Sequence, residues 1–69
     1  MHIGKEIREL LRRQGRSVVW FSQAIKRSRQ ACHSMFKSPT IHTDLLKTIS
    51  EVLGHDFFQD LSAEVELKK

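Results

Sequence analysis

A single cysteine leaves Cys32 with no partner for an internal disulfide, so a reducing, cytoplasmic setting is expected. Proline occurs once, glycine three times and tyrosine not at all, which excludes fibrous and low-complexity architectures. No apolar run approaches the roughly 20 residues of a bilayer span. The opening MHIGKEIRELL carries charge in every turn, and neither a secretory leader nor a membrane partner is expected from it. Strand-like alternation is missing too: Ser17 to Phe21 is the only β-prone run, too isolated to build a sheet. There is no internal repeat, no glycine-rich phosphate loop and no convergent carboxylate pair. So small a chain leaves no room for a substrate cleft, and the expectation is a non-enzyme with no cofactor or small-molecule substrate. His2, His33, His42, His55 and Cys32 never fall into C-x-x-C or H-x3-H spacing, so no metal site is expected.

Acid is scarce in one half only. Residues 1–40 hold nine Lys or Arg against two acids, whereas residues 41–69 hold three against six. The net charge of +4 therefore conceals a strongly cationic half, suited to a polyanion, and a mildly acidic one.

What is present is helical periodicity. Ile3, Ile7, Leu10 and Leu11 form the stripe of an amphipathic helix from about Ile3 to Gln14, ended by Gly15. Glu9 stands four residues before Arg13, an order that predicts an ion pair along this helix. Ser17 can cap a second helix reaching about Ile25, with Val18, Phe21, Ser22 and Ile25 on one side and Trp20 projecting away, to be covered by a loop or the C-terminal segment. Lys26 and Arg27 lead to Ser28, candidate cap of a third helix whose apolar residues Cys32, Met35 and Phe36 make an inward stripe. Pro39 forces an end near Ser38. Thr40 is the candidate cap of a fourth helix, carrying Leu45, Leu46, Ile49, Val52 and Leu53 before Gly54; Asp56 can cap a fifth, with Phe57, Phe58 and Leu61. The reading is all-α, a compact five-helix bundle over residues 1–62 followed by a polar C-terminal tail at 63–69.

The run Phe21-Ser22-Gln23-Ala24-Ile25, then Ser28 to Phe36, then Leu45-Leu46 to Leu53-Gly54 resembles the helix-turn-helix domain of the XRE family, which includes phage repressors and Cro proteins. The likeness covers Ile3 to Phe58 and implies a lambda repressor-like bundle whose third helix enters the DNA major groove, bound to inverted half-sites as a homodimer. It implies a transcriptional regulator of repressor type, from a prophage or mobile element. The chain departs from the family pattern at several points. Ser22 replaces the usual alanine, Lys26 a frequent glycine of the turn, and Arg27 an apolar turn residue. Val18 stands where relatives often clamp a phosphate with a polar side chain, so Arg16 and Ser17 beside it become the substitutes.

Base readout needs side chains that reach base edges and cations that displace counterions. On the third helix Arg29 suits guanine, Gln30 adenine, and Ala31 a thymine methyl. Ser34 follows from the resemblance as a further base contact, with His33 beside it. Arg16, Ser17, Arg27, Lys37, Ser38 and Thr40 flank that helix as phosphate contacts. A rival reading makes the bundle a protein-interaction module, engaging a partner through Val19, Trp20 and Phe57-Phe58 without DNA.

Overall fold

In a computed structural model that describes residues 1–65, the chain is all-helical: α1 (Ile3–Arg13), α2 (Val18–Ile25), α3 (Arg29–Phe36), α4 (Thr43–Leu53) and α5 (Phe57–Glu64). Among the described residues there is no strand, and no helix is long and apolar enough to cross a membrane. Of the tail expected at 63–69, Ala63 and Glu64 complete α5 and residues 66–69 lie outside the described residues.

Three caps follow local chemistry. The hydroxyls of Ser17 and Ser28 accept the backbone N–H of Trp20 and Ala31, each at 3.0 Å, and Asp56 accepts that of Gln59 at 3.1 Å. Each satisfies a donor that has no partner within its own helix. The first helix starts at Ile3 as expected, on a cap not anticipated, and the fourth starts on a different cap. His2 caps α1, its Nδ1 accepting from the Lys5 N–H at 3.1 Å. His42, not Thr40, caps α4, which begins at Thr43. The backbone N–H of Thr40 is turned to the Ser38 hydroxyl, which donates in return to the Thr40 carbonyl; this closed turn holds Thr40 outside the helix.

The first two helices end alike. At Gly15, φ is +68°, with Arg16 N–H donating to the Leu11 carbonyl at 3.0 Å and Gly15 N–H to Arg12 at 3.1 Å. The same double closure ends α2, Arg27 to Ser22 at 2.9 Å and Lys26 to Gln23 at 3.3 Å, but here the left-handed residue is Lys26, at φ 58° and ψ 44°. These are Schellman motifs, which glycine ordinarily serves because it has no Cβ to clash with the backbone.

The core is built from Ile3, Ile7 and Leu11 of α1, Phe21 and Ile25 of α2, Cys32, Met35 and Phe36 of α3, Leu46, Ile49 and Leu53 of α4, and Phe57 of α5. Phe21, wholly buried, stacks on Phe36 with centroids 6.0 Å apart and planes 25° off parallel. Among the described residues Ser22 is the one buried polar residue of the core, small enough for a close helix crossing, and its hydroxyl donates to the Val19 carbonyl at 2.9 Å. Burial without an unmet hydrogen bond is what makes serine tolerable there.

α1 braces the bundle at both ends. Its first amides have no partner within the helix, yet Ile3 donates to the Pro39 carbonyl at 3.2 Å and Gly4 to the Ser38 carbonyl at 3.0 Å. Gly4 makes this approach possible: a Cβ there would lie 2.3 Å from the Met35 carbonyl oxygen and 2.6 Å from those of Phe36 and Ser38. At the other end, the Gln14 side-chain amide donates to the Leu53 carbonyl at 2.9 Å, tying α1 to the end of α4.

Candidate nucleic-acid interface

α3 divides its residues cleanly between two faces. Cys32, Met35 and Phe36 are buried against α1 and α2, while Arg29, Gln30, Ala31, His33 and Ser34, all five residues expected to meet bases, are exposed. The division follows from spacing, because residues three and four apart share a side of a helix. Ser28 keeps the first turn wound beneath Arg29 and Gln30. The His33 ring stands edge-on to Phe36, centroids 5.9 Å apart at 86°, so its position on the outer face is set by packing. Inside, burial pushes the Cys32 thiol above its ordinary pKa, because the thiolate would lose its hydration there.

The flanking residues sort into two places. Arg27, Ala31, Ser34, Ser38 and Thr40 line one shallow groove between α3 and the start of α4, with Met35, Ile41, His42 and Leu45 completing it. Arg16 and Ser17 lie instead in a groove between α1 and the start of α2. Lys37 is exposed at the end of α3.

Their donors are not equivalent. Arg27 and Lys37 keep exposed cationic ends with no carboxylate partner among the described residues. Ser17 accepts a backbone N–H and retains its hydroxyl proton for an anion. Ser38 spends its only hydroxyl proton on the Thr40 carbonyl, so its side chain has none to offer a phosphate in this arrangement. Arg16 lies over the Trp20 ring, its guanidinium carbon 3.9 Å from the ring centroid. Among the described residues Arg16 meets no carboxylate, so this cation–π contact leaves its charge available to an anion. Trp20 itself is half-buried against the core, with Arg16 of the loop between α1 and α2 over its ring.

Two expected features are corrected. Glu9 pairs with Arg12, whose Nε donates to Oε2 at 3.1 Å, and not with Arg13. This hydrogen bond holds the Glu9 carboxyl below its usual range. Three residues along the helix, the guanidinium fork reaches both carboxylate oxygens. The apolar surface of the rival reading is also reduced: Phe57 is 1% exposed and belongs to the core, leaving Val19 and Phe58 exposed.

Lys5, Arg8 and Arg12, not among the residues expected to contact DNA, share the groove of Arg16 and Ser17. Their signal was available as basic residues at i, i+3 and i+7, a second period running beside the apolar stripe. Among the described residues, no three His, Cys, Asp or Glu side chains gather to hold a metal ion. Comparison with known proteins gives no family model, no curated protein and no solved structure that matches the chain.

Proposed function

We propose that the chain is a sequence-specific double-stranded DNA-binding protein of lambda repressor-like helix-turn-helix type, in which α2 and α3 form the motif and α3 enters the major groove. The observation that carries this reading is the outer face of α3, where a guanidinium, a carboxamide, a methyl, an imidazole and a hydroxyl are exposed together on a helix anchored from behind by three buried side chains. Arg29 pairs with guanine O6 and N7, and Gln30 with adenine N6 and N7. Arg16, Ser17, Arg27, Lys37 and Thr40 take phosphates, supported by the cationic balance of the first forty residues. On this reading the chain acts in the cytoplasm as a small transcriptional repressor of XRE type, a homodimer that occupies inverted half-sites and excludes other proteins from them.

Selection of bound duplexes from a random pool, followed by fluorescence anisotropy on the selected site against salt, tests the proposal. The expected result is an enriched sequence and a negative slope of log affinity on log salt, about 0.9 for each phosphate neutralised. A pool that stays random, or a slope of zero, overturns it.

A further inference from the structure

We infer that the groove between α1 and the start of α2 is a second phosphate-binding surface, which holds the sugar–phosphate backbone of duplex DNA and extends the interface beyond α3. The inference rests on the DNA-binding reading of α3, in which Arg16 and Ser17 already take phosphates, and adds Lys5, Arg8 and Arg12 of α1 to them. Lys5, Arg8, Arg12, Arg16 and Ser17 line the groove over a floor that includes Leu11 and Val18. At 1.5 Å per residue, Lys5 to Arg12 spans about 10 Å, the axial rise of about three phosphates on one strand. Among the described residues Glu9 is the only acid lining the groove, and its carboxylate is taken by Arg12. Lys5, Arg8 and Arg16 have no carboxylate partner among the described residues.

Two further observations favour a phosphate backbone as the occupant. The cations are spaced along a line, which suits a regular row of charges better than a single small anion. Arg16 is held by its cation–π contact with Trp20, so less side-chain freedom is lost when its N–H groups meet an oxygen. Arg16 and Ser17 join the two surfaces, since they lie in this groove and also flank the motif of α2 and α3.

The test is the salt dependence of duplex binding by the whole chain and by the double variant Lys5→Ala, Arg8→Ala. Both positions are exposed on α1, where alanine favours the helix, and circular dichroism verifies the fold. The expected result is a log–log slope smaller in magnitude by about 1.8, with the order of preference among duplex sequences unchanged. Fluorescence of Trp20, the only tryptophan, is expected to change when duplex binds the wild-type chain. A wild-type slope that the variant reproduces overturns the groove and leaves the α3 reading standing, whereas a wild-type slope of zero overturns both. A change in sequence preference would make these residues base readers and overturn the assignment. Phosphatidylserine vesicles supply the contrasting polyanion: vesicle binding abolished by the variant, with the duplex slope intact, assigns the groove to a membrane surface instead.

Discussion

The two ends of α3 are held by opposite solutions. At its far end, the entry of α1 presses backbone against backbone, and glycine at position 4 is required because any Cβ would meet three carbonyl oxygens. At its near end, the turn out of α2 places a non-glycine residue at positive φ, although the two other left-handed residues, Gly15 and Gly54, are glycines. The first contact is buried and intolerant; the second is exposed and strained. The difference teaches that the far end is shaped by packing, whereas the near end accepts a backbone cost in exchange for a cation beside the proposed interface.

The largest way to break this comparison is Gly4→Ala. The opposing atoms are main-chain oxygens of the α3 exit, which cannot rotate aside, so a loss of about 3 kcal/mol is expected in urea denaturation. Cys32 supplies a second readout. Buried and with its pKa raised, it should react with a disulfide reagent at pH 8 on the order of 100-fold slower than in the unfolded chain, and Gly4→Ala should remove most of that protection.

On the outer face the same helix should behave differently. Arg29→Ala and Gln30→Ala are expected to leave stability within about 0.5 kcal/mol. Each should lower discrimination at one base pair by about 2 kcal/mol, measured by competition between selected duplexes. Equal competition curves for wild type and variants would remove both residues from base readout.

The smallest effect sharpens the near end. Lys26→Gly relieves the left-handed strain and is expected to stabilise the fold by about 1 kcal/mol, read as a rise in the urea midpoint at constant slope. Affinity for duplex should fall modestly at low salt, since one positive charge is removed. A variant no more stable than wild type would show that the Lys26 side chain offsets its own backbone cost.

The sequence was legible wherever structure depends on neighbours within a few residues. The caps at Ser17, Ser28 and Asp56, the stops at Gly15 and Gly54, and the buried stripe of Cys32, Met35 and Phe36 all answer to local spacing. Histidine caps were missed because an imidazole nitrogen is an unusual acceptor at that position, and Thr40 was the stronger candidate until its own turn with Ser38 engaged it. The choice of Arg12 over Arg13 by Glu9 is a matter of rotamers that helical spacing leaves open. Gly4 and the seat of Phe57 were illegible for a different reason. The first depends on carbonyls far along the chain, and the second on which of two adjacent phenylalanines turns inward once α5 docks.

The amides of Ile3 and Gly4 invert the usual order in which a helical chain lets go. A first turn ordinarily frays and exchanges its hydrogens with water within moments, but these two protons are lent to acceptors about half the chain length away. They can reach solvent only when the first helix lifts off the third, so the beginning of the polypeptide should exchange with the slow class of amides and serve as a sentinel of whole-molecule opening.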